Sequence, residues 1–171
     1  MKSITIIRHA ESSYIASVLT DFDRPLNQKG VEDAQLMGQI LSDKKINIQL
    51  IISSSANRTL NTAQIISKKI NYKQKIEQKK SLYSASWKEV VDIITKVSNN
   101  IDSIAIIGHN PTVHLLSEKL SYQNFDNFPT CAIAKINLNI QSWDKLNQSL
   151  LSDYDNIGEL KYFIFPKKLA L

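Results

Sequence analysis

At 171 residues, 43% hydrophobic and 22% charged, the chain has the size and balance of a single soluble globular domain, and residues 1–171 are expected to form one. The lone Cys131 excludes an internal disulfide, the N-terminus turns charged at Arg8 too early for a secretory leader, and no apolar run nears the roughly 20 residues of a membrane helix. A cytoplasmic protein without membrane contact is expected, and the net charge of +5 rests on scattered lysines without aromatic interleaving, which argues against a nucleic-acid partner.

Ile4-Thr5-Ile6-Ile7 predicts a first buried strand. From there to about Asn27 the chain has no period and carries Asp21, Asp23 and Pro25, which predicts a loop with a short helical piece. Between Gln28 and about Ser42, Val31, Ala34, Met37 or Gly38, and Leu41 recur at helical spacing. Leu50-Ile51-Ile52 predicts a second strand opening into Ser53-Ser54-Ser55. Asn57 is the expected N-cap of a helix carrying Leu60, Ala63, Gln64 and Ile65 toward Ile70. The lysines that follow, from Lys68 to Lys80, predict a solvated helix end and loop, with a docking face for an acidic partner as the rarer alternative.

A short strand is expected around Gln74 to Glu77, and Ser86-Trp87-Lys88-Glu89 has capping-box spacing ahead of a third helix with Val90, Val91, Ile93, Ile94 and Val97. A strand ending at Ile107 leads into Gly108-His109-Asn110-Pro111, where Pro111 suits the first turn of a helix running to Leu120. Apolar residues between Ala132 and Ile140 predict a further strand, and Leu160 to Phe165 a last one ended by Pro166. Strands alternating with helices predict a layered α/β/α domain with a mainly parallel central sheet and antiparallel additions near the C-terminus.

Chemistry gathers where these strands end. Of the three histidines, His9 and His109 directly follow apolar strand-like runs, and Arg8, Arg24 and Arg58 are the only arginines against 18 lysines. A chain that uses lysine wherever charge alone suffices has kept arginine where a planar fork is needed, as a phosphate or carboxylate requires. In open α/β sheets ligands bind at the carboxyl ends of the strands, so Arg8-His9, Ser53 to Arg58 and Gly108-His109 are expected to converge there. Arg58 falls in a first helical turn, where a cation meets the positive end of the helix dipole and is disfavoured unless an anion is bound. Any one of these residues alone reads more readily as a hydrogen-bonded histidine or a surface ion pair; together they point to a phosphate site.

Arg8-His9-Ala10-Glu11 resembles the Arg-His-Gly-Glu signature of the histidine phosphatase (phosphoglycerate mutase-like) superfamily, and Gly108-His109-Asn110-Pro111 resembles its second histidine motif. The likeness extends to Arg24-Pro25-Leu26 with Gly30, Ser53-Ser54 with Arg58, Thr62-Ala63, Leu82-Tyr83 and Thr130-Cys131-Ala132-Ile133. The ending from Gly158-Glu159-Leu160 to Phe165-Pro166-Lys167 is similar to the short phosphohistidine phosphatase branch of SixA type.

This resemblance implies a catalytic set of His9, Arg8, Arg58 and His109. His9 would be the nucleophile that takes the phosphoryl group covalently, and Arg8, Arg58 and protonated His109 would surround its oxygens. Arg24 would guide the substrate or pair with Asp21 or Asp23. His114 is expected to be structural, and Glu11 and Ser12 either to line the pocket or to serve solubility. No metal and no cofactor is implied, since a cationic pocket repels a divalent ion.

Two departures matter: Ala10 replaces a glycine, which asks for an unstrained backbone there, and Ser81 stands before Leu82-Tyr83 where many relatives carry a glutamate that protonates the leaving group. Without that acid a phosphohistidine substrate is favoured, because imidazole, with a pKa of about 6.5, can leave already protonated. The expected function is therefore a metal-independent phosphohistidine phosphatase acting on a signalling or phosphotransfer protein, as a monomer with an open site. The alternatives are a phosphatase of small esters or anhydrides and a catalytically quiet phosphoprotein-binding module.

Overall fold

The structure, a computed structural model, describes residues 1–13, 20–151 and 157–166. Its strands are β1 (Lys2–Arg8), β2 (Leu50–Ser54), β3 (Glu77–Lys79), β4 (Ser103–Gly108), β5 (Ile133–Leu138) and β6 (Gly158–Ile164). They form one sheet in the order β3-β2-β4-β1-β5-β6. Pairing is parallel from β3 through β2 and β4 to β1, and antiparallel from β1 to β5 and from β5 to β6. The mainly parallel sheet with antiparallel C-terminal additions is thus as the sequence predicts.

Helices α1 (Gln28–Asp43) and α2 (Asn57–Lys69) cover one face, and α3 (Trp87–Ile94), α4 (Thr112–Ser121) and α5 (Leu146–Leu151) cover the other. The alternation within β1 and β4 divides the core between them. Ile4, Ile6, Ile104 and Ile106 pack with Val90, Val91, Leu116 and Leu120, while Ile7, Ala105 and Ile107 pack with Ala34, Met37, Leu41 and Ile66. Strands buried on both faces read as continuous apolar runs, which is why β1 and β4 were legible.

The capping box of α3 is present, with Ser86 and Glu89 each satisfying the other's backbone N–H. The expected cap of α2 is corrected: Ala56 is the N-cap and Asn57 the first helical residue, its amide donating instead to the Asp23 carbonyl at 3.0 Å. The buried face of α2 consists of Arg58, Thr59, Thr62, Ala63, Ile66 and Ser67, whereas Leu60 and Ile65 are only half-buried. Threonine can be buried here because its hydroxyl bonds a carbonyl one turn back: Thr59 to Ala56 at 2.7 Å and Thr62 to Arg58 at 2.7 Å.

β3 lies three residues beyond its expected start. α5 and the 3₁₀ turns at Lys80–Tyr83 and Trp143–Lys145 carried no signal long enough to predict. The short helical piece expected before α1 is the 3₁₀ turn Asp21–Asp23; the rest of that loop at 14–19, and Lys167 of the C-terminal motif, lie outside the described residues.

One contact sets the entrance to the site. A Cβ on Gly30 would stand 1.9 Å from the Glu11 carbonyl oxygen, so only glycine lets the start of α1 press against the segment leaving β1. Asn27 completes the clamp by capping the Gly30 N–H at 2.7 Å and donating to the Glu11 carboxylate at 2.8 Å.

Candidate active site

β2, β4 and β1 are adjacent and parallel, so their carboxyl ends open on one place. Arg8 ends β1 and His9 follows it, Ser54 ends β2 ahead of α2, and His109 follows β4. The backbone of His9 is fixed on both sides, its N–H donating to the Gly108 carbonyl at 3.1 Å and its carbonyl accepting from Cys131 at 3.1 Å. The next N–H, on the fully buried Ala10, donates to the Thr62 hydroxyl at 3.0 Å, and Ala10 is not among the residues with positive φ. Alanine therefore serves in place of the glycine, as expected.

The His9 ring is held in one tautomer. Nδ1 donates to the Ala10 carbonyl at 2.8 Å, and Nε2 faces the Arg58 Nε–H at 3.3 Å, which requires a lone pair on Nε2. Burial first, then the charges of His109, Arg58 and Arg8, pull the ring down to about 3 against the pull of the Ala10 carbonyl. A neutral imidazole with an oriented, unprotonated Nε2 is the form that can attack phosphorus.

The His109 ring lies 5.2 Å from His9, centroid to centroid, with the edge of Tyr83 against it at 5.4 Å. Its Nε2 pairs with the Ser54 hydroxyl at 2.9 Å, and its Nδ1 is buried with no protein partner. In the free site, burial, then the Arg58 and Arg8 charges, bring His109 down to about 4, although Asp21 opposes them. A proton on this ring has to arrive together with the charge of a phosphoryl group. Arg8 donates through Nη1 to the Phe128 carbonyl at 2.9 Å, and its Nε is likewise buried without a partner. Two orphaned polar atoms on residues flanking His9 are costly unless a ligand satisfies them.

Arg58 joins the set from the first turn of α2, where the helix dipole opposes a cation by about 0.3–1 kcal/mol. The anion beside it is Asp21, which takes Nη1 on its carbonyl and Nη2 on its carboxylate, the latter at 2.9 Å. Arg24 pairs with Asp21 at 2.9 Å and also donates to the Ser13 carbonyl and the Ser12 hydroxyl, the ion-pair alternative of the sequence reading. Glu11 and Ser12 are likewise engaged in holding the loop. His114 is structural, bonded to the Phe125 carbonyl at 3.0 Å and packed on Phe125 and Phe128.

The structure thus brings His9, Arg8, Arg58 and His109 together and pairs Arg24 with Asp21. It adds Ser54, Thr62 and Tyr83, which the resemblance quoted without a role, and Asp21, for which the sequence offered only an ion-pairing guess. Among the described residues no cluster of histidine, cysteine and carboxylate side chains could hold a metal ion, and no helix is long and apolar enough to cross a membrane.

The family model described as histidine phosphatase superfamily (branch 1) matches residues 4–90. The chain belongs to that superfamily. An uncharacterized chloroplastic protein of Arabidopsis thaliana is 30% identical over 153 residues, 84% of this chain and 70% of that relative. Phosphohistidine phosphatase SixA of Escherichia coli is 25% identical over 138 residues, 79% of this chain and 84% of that protein. The solved structure of protein histidine phosphatase SixA complexed with tungstate superposes with a TM-score of 0.80, covering 98% of this chain and 99% of that one at 22% identity. The histidine phosphatase fold expected from the motifs is therefore the fold of the chain, including the half beyond residue 90 that carries His109.

The two neutral histidines give a pH dependence of stability. Folded, they take up protons only below about 4, whereas unfolded they do so near the ordinary histidine pKa of about 6.5. The unfolded chain binds more protons between those values, so stability is full above the unfolded pKa and is lost as the pH falls through this window. Calorimetry should show the thermal midpoint dropping on acidification, with a shallower slope for His9→Asn. Equal slopes would mean that the fold does not hold His9 neutral.

Proposed function

We propose that this protein is a cytoplasmic, monomeric phosphohistidine phosphatase acting on a signalling or phosphotransfer protein through a covalent intermediate at His9. Nε2 of His9 attacks phosphorus, the substrate's N–P bond breaks, and the substrate imidazole leaves with its own proton. Water then attacks the phosphoryl group, the P–Nε2 bond breaks, and inorganic phosphate is released. Arg8, Arg58 and His109 hold the phosphoryl oxygens, so no metal is needed to spread the charge.

The observation that carries this reading is the placement of the carboxylates. Ser81 is exposed, Glu77 pairs with Lys79 at 3.4 Å, and Glu89 is committed to the capping box. Among the described residues, Asp21 is the carboxylate whose charge reaches His109. Both its oxygens are engaged, Oδ1 by Arg24 and Oδ2 by Arg58 and Tyr83. Tyr83 and the two arginines hold its carboxyl well below the usual range, so it has no proton to give an alkoxide. The site also opens sideways, onto a cleft of about 530 Å³ lined by Arg8, Asn110, Phe128 and Phe165 and one of about 400 Å³ lined by Tyr83, Trp87, His109 and Leu115. Such openness suits a side chain presented by a protein. The similarity to Escherichia coli SixA supports the same class.

The test is kcat/KM across a leaving-group series. Phosphohistidine and phosphoamidate should turn over well, activated aryl phosphates slowly, and phosphoserine and sugar phosphates barely. A flat dependence, or efficient sugar-phosphate hydrolysis, would replace this reading with a small-ester phosphatase.

A further inference from the structure

Asp21 occupies an unusual place for an acidic residue, because a carboxylate beside an anion-binding pocket should repel the substrate. Its contacts give it another part. The guanidinium of Arg58 has two hydrogen-bonding edges, the end formed by Nη1 and Nη2 and the side formed by Nε and Nη2. Asp21 takes the end edge with two different acceptors, its main-chain carbonyl on Nη1 and Oδ2 on Nη2. The side edge is thereby turned to the nucleophile, with Nε 3.3 Å from His9 Nε2.

Asp21 is itself fastened from several directions. Arg24 holds Oδ1 at 2.9 Å and the Tyr83 hydroxyl donates to Oδ2. Its 3₁₀ turn is tied to α2 through Asn57 and the Asp23 carbonyl at 3.0 Å, and to the segment leaving β1 through Arg24 and the Ser13 carbonyl at 2.9 Å. Arg58 is almost wholly buried, with 8% of its side chain exposed, whereas Asp21 is 52% exposed. The fixed anion at the mouth therefore orients the buried cation within.

We propose that Asp21 is a positioning residue that selects which edge of Arg58 meets the phosphoryl group. The lone pair on His9 Nε2 that accepts from Arg58 is the one that attacks phosphorus. When the substrate arrives, the Nε–H passes from Nε2 to a phosphoryl oxygen, and the second Nη2–H lies on the same edge. The guanidinium need not turn, because its far end stays on Asp21, and donors preset in this way act without reorganisation. This inference rests on Arg58 being a phosphoryl ligand.

Two explanations of Asp21 predict opposite signs. If it is only a nearby negative charge, removing it strengthens anion binding; if it positions Arg58, removing it weakens binding. Vanadate affinity by calorimetry, with kcat and KM on phosphoamidate, should be measured for Asp21→Ala, Asp21→Asn, Arg58→Lys and the Asp21→Ala/Arg58→Lys pair. Asp21→Ala should lose roughly 10²-fold in vanadate affinity and in kcat with little change in KM, as a displaced catalytic group does. In the Arg58→Lys background, removing Asp21 should cost no more than about twofold further, since the two act as one unit. Asp21→Asn keeps an acceptor and the size, should fall between, and stands in if the alanine variant does not fold. Unchanged or tighter vanadate binding without Asp21, or additive losses in the pair, would overturn the inference. An Arg58→Lys enzyme of parental activity would instead mean that charge alone suffices at this position, which overturns the selection of an edge and leaves the proposed phosphohistidine chemistry standing.

Discussion

His9→Ala should abolish turnover of phosphoamidate and of phosphohistidine peptides while the protein still folds. The backbone bonds that fix this position, to the Gly108 carbonyl and from the Cys131 N–H, do not depend on the side chain and survive the change. What disappears is the ring, with its bond to the Ala10 carbonyl and its lone pair facing Arg58. Losing one buried hydrogen bond and leaving one donor unmet costs about 1–2 kcal/mol, which in a chain of 171 residues moves the thermal midpoint by roughly 2–8 °C. The chemical loss is of another order, because no phosphoenzyme can form. His109 cannot substitute through Nε2, which is taken by the Ser54 hydroxyl. Rapid quenching with labelled phosphoamidate should trap an acid-labile, base-stable phosphoenzyme in the parent and none in the variant. Turnover by a folded His9→Ala protein would end the covalent mechanism.

The fold was legible where one local signal sufficed. The runs Ile4 to Ile7 and Ile104 to Ile107 are apolar on both faces because both faces are covered, and Ser86-Trp87-Lys88-Glu89 announces its helix through a contact that spans three residues. The two histidines and Arg58 were legible because strand ends in a parallel sheet share one edge. What stayed hidden depends on side chains that satisfy one another at a distance. The buried threonines of α2 read as polar in sequence, and only the carbonyls one turn back reveal why they face inward. The Phe128 carbonyl that receives Arg8 lies 120 residues away, with nothing local to mark it. Asp21 looked like a solvated partner for Arg24 because the sequence places it near Arg24 and far from Arg58, whereas the turn before α1 folds it onto both. Ser81, for its part, marks an absence, and the structure shows that its 3₁₀ turn instead directs Tyr83 toward His109 and Asp21.

Arg58→Lys should lower kcat by roughly 10²–10³-fold, the loss expected for one oxyanion-stabilising donor and equivalent to about 2.7–4 kcal/mol. The formal charge of the site does not change, so long-range attraction of the anionic substrate, and with it KM, should stay close to the parent's. The loss is geometric. Arginine spans the pocket with one planar group, binding Asp21 at its end edge and facing His9 with its side edge. A lysine ammonium is a single point, and the acceptors of Asp21 compete with the nucleophile's side of the pocket for it. Pairing with Asp21 leaves the phosphoryl oxygens without a donor beside His9; turning toward His9 leaves Asp21 facing the substrate uncompensated. Either choice removes stabilisation as charge spreads over the phosphoryl oxygens, so single-turnover rates of phosphoenzyme formation should fall along with kcat. A rate within about twofold of the parent would be far below the effect of losing such a donor and would mean that charge alone, which lysine supplies equally well, is what the pocket requires at this position.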